Sequence, residues 1–308
     1  MIAQPQTPTS AQPERERSGF NWGKLVAWLV LILLILITLL PIWIVIKTSL
    51  SSQRSLFSTA GSLLPAEPTL FNFRRALGLV SLDEMVASGG SGQTLNFPLF
   101  LRNSVFFTGL VVVFQIFFSA MSAYAFARLK FPGRNVIFFL YLSALMVPGI
   151  VLFIPNFVLI RQLGWLNTMQ GMVAPYLLMT PFAVFFLRQF FLSLPVELEE
   201  AARLDGASPF GIFWRIVMPI SQTPLATLAI LTSINMWNDY FWPFLVGRDE
   251  NIRVLTVALG IFRSQTPQGV PDWTGLTAAT LLSIVPIFLL MIFLGRRIVD
   301  SLAFSGLK

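Results

Sequence analysis

The sequence predicts an all-α membrane protein with six transmembrane helices and a two-helix loop between the fourth and fifth. Three observations carry this. Of the 308 residues, 55% are hydrophobic and only 11% are charged, whereas soluble domains run near 25% charged, so lipid must be the solvent for much of the chain. The apolar residues gather into six continuous runs near spanning length, not into the ~10-residue alternating segments of a β-barrel. The segment 192–216 carries two helix starts separated by an Asp205-Gly206 turn.

The elements follow in order. Residues 1–24 are rich in Pro, Gln, Thr and Ser and read as a disordered tail. No cleaved signal peptide is expected, because the next apolar run is longer than a signal h-region and no small-residue cleavage site follows it. That run, Leu25–Ile46, lies between Lys24 and Lys47. It is long enough to cross a hydrocarbon core of roughly 30 Å at ~1.5 Å per residue. The spans lie near 25–46, 103–126, 135–160, 171–191, 217–241 and 276–294, giving a membrane domain over 25–298 and a C-terminal tail over 299–308. The outer segments are 48–102 with a SGGSGQ turn at 88–93, 161–170, and 247–273 with Pro267, Gly269 and Pro271. Orientation comes from basic residues flanking the spans. The short loop after the second span, ARLKFPGR, holds three basic and no acidic residues. It belongs on the cytoplasmic side, and so do both termini and residues 192–216.

Composition excludes several function classes. There is no Cys and no His, which removes disulfides, thiolate chemistry and the commonest metal ligand. No metal site and no catalytic constellation is predicted. Glu197, Glu199 and Glu200 resemble a carboxylate cluster but lie in a loop without a pocket-forming scaffold. The net charge of +7 reads as span orientation, not as nucleic-acid binding. A phosphate-binding P-loop needs Gly, four residues, then Gly-Lys-Ser/Thr. Only Lys24 follows a glycine, with Leu25 after it and Ser18 where the first glycine is needed. The motif is absent.

The most informative stretch is LSLPVELEEAARLDGASPFGIFWRIVMPI at 192–220. Pro195 suits a first helical turn, with Ser193 placed to cap it. Glu197, Glu199 and Glu200 sit where the helix dipole favours carboxylates, and Ala201 and Ala202 keep the helix slim. Gly206 accepts a positive φ after Asp205, and Ser208-Pro209 repeats the cap-and-proline start. Glu200-Ala201-Ala202 is followed after three residues by Gly206, after nine more by Ile216, and then by Met218-Pro219. This resembles the cytoplasmic signature of permeases in binding-protein-dependent ABC importers, with Met218 where Leu is usual. RNSVFFTGL (102–110), SAYAFARLKFPGR (122–134), MVPGIVLFIP (146–155), LGWLNT (163–168), LRQFF (187–191) and WNDYFWPFLV (237–246) are similar to the carbohydrate-importer branch and its MalG-like inner-membrane subunit. The resemblance covers residues 25–308 and weakens at about 80–97.

The resemblance implies a type I ABC importer permease fold in the bacterial cytoplasmic (inner) membrane. It assigns Glu200, Ala201, Ala202, Asp205, Gly206, Ile216 and Pro219 to coupling with a separate ATPase. The implied partners are a second permease forming a heterodimer, two ATP-binding subunits and an extracytoplasmic solute-binding protein. No cofactor is expected on this chain, since the partner subunits bind ATP. The implied cargo is a sugar or related solute; polyol and glycerol phosphate permeases share the pattern. The rival class, a secondary transporter, needs ionisable groups inside the spans, and these spans have almost none.

Two further groups point to a substrate pathway. Pro148-Gly149 lies near the middle of the third span, where loss of a backbone hydrogen bond gives a kink or break; this marks either a pathway or a packing kink. Asn235, Asn238 and Asp239 lie near the outer end of the fifth span beside Trp237, Tyr240 and Trp242. Asp239 must face water or a partner. Aromatic rings with amides suit sugars, and equally form an interfacial belt.

Overall fold

A computed structural model describes residues 22–57, 61–88, 95–264 and 272–305, and among them it contains helices and turns with no strand. The SGGSGQ turn after Ser88 and the prolines of the third outer segment lie outside these residues, as does the expected tail up to residue 21. The chain divides into two units at Val45–Ile46.

The first unit holds most of α1 (Trp22–Ser49), a helix of 28 residues. It starts at Trp22, inside the stretch expected as tail. Its one hydroxyl between Leu25 and Ile46, on Thr38, donates to the Leu34 carbonyl at 2.8 Å. That bond satisfies a hydroxyl that lipid would leave without a partner.

In the second unit, the long segment after α1 is partly helical, with α2 (Phe71–Ala76) and α3 (Leu82–Ala87). Asn72 Nδ2 donates to the Ser49 and Ser51 carbonyls, both at 2.8 Å. Arg75 pairs with Asp272 at 2.7 Å in a buried contact. That contact fixes α2 beside the start of the last helix, where a Cβ on Gly275 would strike the Arg75 guanidinium.

The central strut is α4 (Phe97–Arg128), 32 residues without an internal proline beyond its first turn. Its Phe97 and Phe100, its Phe107 and Val111, and its Ala120, Ala123 and Tyr124 each enter a different buried apolar cluster. One unbroken helix therefore contributes to all three of these clusters.

The next three spans are broken. In the third, α5 (Arg134–Met146, its last turn 3₁₀) and α6 (Gly149–Gln162, opening as 3₁₀) meet at 93°. Pro148 cannot donate to the Ala144 carbonyl, and it forces Val147 into an extended conformation (φ −83°, ψ 116°). In the fourth, α7 (Met169–Tyr176) and α8 (Pro181–Ser193) meet at 50°, with Pro181 at the first helical position and Thr180 Oγ1 accepting from Ala183 N–H. The fifth begins later than expected. Residues 217–220 belong to the helix of the preceding loop, and the piece that follows is the shorter Gln222–Trp237, set at 79° to what precedes it. Pro224 is the reason: it lacks the N–H that would bond the Ile220 carbonyl, so the helix must break before it.

The segment expected as the last outer one is not simply a loop. Leu255–Ser264 is helical, and Leu255, Val257, Ala258 and Phe262 are buried. Apolar residues at 254, 255, 257, 258, 261 and 262 follow a helical period, which the prolines beyond residue 266 obscure in a hydropathy reading. The final helix, Trp273–Ser305, continues through residues read as a C-terminal tail. Among the described residues, three helices are long and apolar enough to cross a membrane, and up to six spans result if each bent pair counts as one.

Candidate functional site

The segment after α8 forms α9 (Glu197–Leu204) and α10 (Pro209–Ile220, with a π-helical turn at Phe213–Val217). Ser193 does not cap α9; its hydroxyl donates to the Phe190 carbonyl at 2.7 Å, and Val196 stands at the cap position without a side-chain bond. Ser208 does cap α10, accepting from Gly211 N–H at 3.1 Å. Between them, Gly206 has φ +81°. Its N–H donates to the Arg203 carbonyl at 3.0 Å, and Ala207 N–H donates to the Ala202 carbonyl at 2.9 Å. These are the two bonds of a Schellman motif, which satisfies the last carbonyls of a helix and turns the chain sharply.

The faces of α9 separate chemically. Glu199 is buried, at 3% exposure, and Ala202 packs on the cluster formed by α4, α8 and α10. Glu200, Ala201, Leu204 and Asp205 point outward. Leu204 is 90% exposed, and Phe210 and Trp214 of α10 are more than half exposed. The outward surface is thus acidic and apolar together, which suits a protein partner better than water. Ile212, Phe213 and Val217 anchor α10 in the core; Ile216 is half-buried against it and Pro219 is exposed near the α10 end. The Glu-Ala-Ala, Gly206, Ile216 and Pro219 positions therefore share one helix–turn–helix unit. The exposed Leu204, Phe210 and Trp214 were not singled out from the sequence, where they look like ordinary apolar residues of an amphipathic segment.

A second polar region lies where α11 (Gln222–Trp237) ends and α12 (Phe241–Val246) begins. Asp239 sits at the α12 start, close to the backbone N–H groups of Phe241 and Trp242, where a short helix presents its unpaired donors. Its Oδ2 also accepts from the Tyr176 hydroxyl at 2.9 Å, and its carbonyl accepts from the hydroxyl of Thr256 in α13 (Leu255–Ser264) at 2.8 Å. The Tyr176 carbonyl accepts from Gln115 Nε2 at 3.0 Å, and Gln115 Oε1 accepts from the Thr232 hydroxyl at 3.3 Å. The result is a polar seam, Thr232–Gln115–Tyr176–Asp239–Thr256, crossing α11, α4, the α7–α8 break and α13. Breaking the fourth span leaves carbonyls of its last turn without helical partners, and Gln115 serves one of them.

Of the residues expected on a pathway, only Asp239 is in this seam. Asn238 caps its own helix, donating to the Ile234 carbonyl at 2.7 Å, and Asn235 is exposed. Pro148 and Gly149 form the exposed α5–α6 break. The chain connects that break to the seam through Phe153, whose ring lies 4.5 Å from Phe241 and 5.4 Å from Trp242 between centroids. Trp237 and Trp242 use their indole N–H groups structurally, donating to the Ser283 and Met172 carbonyls. Gln115 was the one signal in the sequence left unused, an amide inside an otherwise apolar span. No group of three acidic side chains able to hold a metal ion occurs among the described residues.

A family model described as a binding-protein-dependent transport system inner membrane component matches residues 101–303. The chain belongs to this family. The arabinooligosaccharide transport permease AraQ of Halalkalibacterium halodurans is 39% identical over 206 residues, 67% of this chain and 72% of that protein. The sn-glycerol-3-phosphate transport permease UgpE of Salmonella typhi is 34% identical over 276 residues, 89% of this chain and 94% of that protein. A chain from the crystal structure of a bacterial ABC transporter that imports alginate superposes with a TM-score of 0.74 at 24% identity, covering 94% of this chain and 99% of that one, and shows a shared fold. The protein is a membrane-embedded permease of an ABC importer and not an enzyme. A component of this kind works with a binding protein and an ATPase.

Proposed function

We propose that this permease pairs with a second permease, is driven by two ATP-binding subunits through α9, and carries a sugar or closely related neutral solute delivered by an extracytoplasmic binding protein. The observation that carries the reading is the outward face of α9, where Glu200, Leu204 and Asp205 stand in solvent around a Schellman turn while the opposite face is held in the core. In this reading α9 and α10 face the cytoplasm with both termini, and the nucleotide belongs to the partner subunits, with no cofactor on this chain. Docking transmits force because the contact differs between the open and closed ATPase states.

Solute class is supported by the seam. It offers a carboxylate, a phenol, hydroxyls and an amide, the groups that hydrogen-bond sugar hydroxyls. The AraQ relatives are named for arabinooligosaccharides and the UgpE relatives for sn-glycerol-3-phosphate. The Asp239 carboxylate disfavours a phosphate dianion on this side of the pathway, since like charges repel at low dielectric. The test uses proteoliposomes holding the whole transporter with its binding protein. Uptake of arabinotriose over sn-glycerol-3-phosphate supports the reading, and Glu200→Lys should abolish it while the permease still inserts. Preferential uptake of the phosphate, or ATPase subunits that remain bound and active with Glu200→Lys, contradicts it.

A further inference from the structure

Glu199, adjacent to the outward-facing Glu200, points the other way. Its Oε1 lies 2.9 Å from Arg128 Nε, and both side chains are more than nine-tenths buried, at 4% and 9% exposure. The Nε–H is off the line to that oxygen, so the contact is a charge pair and not a well-aligned hydrogen bond. Arg128 is the last residue of α4. Its Nη2 donates to the carbonyl of Leu194 at 2.6 Å, in the short hinge between α8 and α9. One turn back on α4, the Tyr124 hydroxyl reaches Glu199 Oε2 at 3.4 Å, and Arg203 of α9 lies 3.5 Å from the same oxygen. A single guanidinium thus grips both the hinge and the first turn of α9, as its forked donors allow and a lysine would not.

The middle of the same helix is in the polar seam. Gln115, which bridges Tyr176 and Thr232, lies 13 residues before Arg128 on α4, or about 20 Å along an unbroken helix axis. The third, fourth and fifth spans are each bent at a break with a proline at or beside it; α4 is not. A displacement of α9 therefore has a rigid path to the seam that bypasses the bends.

We propose that the buried Arg128–Glu199 pair is the positioning element that ties α9 to α4 and carries ATPase closure to the Gln115–Tyr176–Asp239 seam. The inference rests on the docking reading of α9 and divides the labour of adjacent carboxylates: Glu200 meets the ATPase and Glu199 holds the permease.

The chain has no cysteine, so single probes can be placed in the full complex with its binding protein. A fluorophore on a cysteine at Asp205 reports α9, and one at Asn235, one turn beyond Thr232 on α11, reports the seam. In the native background a non-hydrolysable ATP analogue should shift both signals. In Glu199→Gln the probe at 205 should respond as before while the response at 235 falls about tenfold, the population change that about 1.4 kcal/mol produces. Swapping the charges with Glu199→Arg plus Arg128→Glu should restore most of the response at 235, which a purely structural role does not predict. An unchanged response at 235 in Glu199→Gln overturns the proposal. So does loss of the ATPase from both Glu199→Gln and the swapped variant, since the pair would then serve assembly alone. Glu200→Lys separates the two readings: if its probe at 205 responds normally to the analogue, the docking reading fails on its own account.

Discussion

Gly206 offers a clean test of how α9 is aimed. With φ at +81° it occupies the left-handed region, and a Cβ built there meets nothing within 4 Å. Any substitution effect is therefore conformational, not steric crowding. A β-branched residue held in this region costs about 1–3 kcal/mol, equivalent to a roughly 5- to 150-fold shift between the Schellman-turned state and alternatives. Alanine should sit near the lower end of that range, and asparagine below it, because its short polar side chain tolerates left-handed backbone. The cost falls on an eight-residue helix that cannot hold its direction by length alone. The carbonyls of Ala202 and Arg203 lose their turn partners, and Glu200 and Leu204 swing with the helix. The assay is ATP hydrolysis by the reconstituted transporter, with and without liganded binding protein, for Gly206→Asn, Gly206→Ala and Gly206→Val. Stimulation should fall in that order, with Val near basal and membrane insertion unaffected in all three. Wild-type stimulation in Gly206→Val would refute the argument that this turn aims the coupling helix, and an equal loss in Asn and Val would show that backbone strain is not the cause.

Two other outcomes follow from the same geometry. A cysteine at Asp205 should react with an impermeant thiol reagent in inside-out vesicles and stay unlabelled in intact cells; labelling from outside would reverse the assigned orientation of every span. Removing the Tyr176 hydroxyl with Tyr176→Phe deletes a hydrogen bond to a carboxylate, a loss of about 1.5–3 kcal/mol. Uptake should drop at least roughly tenfold while the complex still assembles, as it should for Asp239→Ala. Loss of assembly in both would make the seam a packing feature.

Much of this architecture is written locally. Six apolar stretches, the third-span break at Pro148, and the Gly206 turn with its Ser208-Pro209 restart can all be read from residue order. Proline removes a specific donor, glycine admits a specific φ, and lipid demands apolar length. The register of Glu200, Gly206, Ile216 and Pro219 likewise survives intact in the structure as one helix–turn–helix unit. The fifth span was harder to bound, because the apolar residues 217–220 continue its hydropathy although Pro224 stops its helix. The helix at Leu255–Ser264 was hidden for a related reason: a short amphipathic helix beside proline-rich sequence has the composition of a loop until its buried face finds a partner.

What residue order did not reveal was which side chains meet. Three glutamates open α9 with the same local chemistry, and only packing against α4 turns Glu199 inward to Arg128 while leaving Glu200 outside. Tyr124 and Glu199 are 75 residues apart, Tyr176 and Asp239 are 63, and Gln115 and Thr232 are 117. Periodicity and capping act over a turn or two, so they carry no information about such pairs. The sequence alone determined six apolar stretches and a helix–turn–helix loop between the fourth and fifth, because each of those features follows from short-range rules, and the motif register in that loop pointed to the permease family. The inward carboxylate and the polar seam were decided only in the tertiary structure, where burial makes an unpaired charge or carbonyl costly enough to select its distant partner.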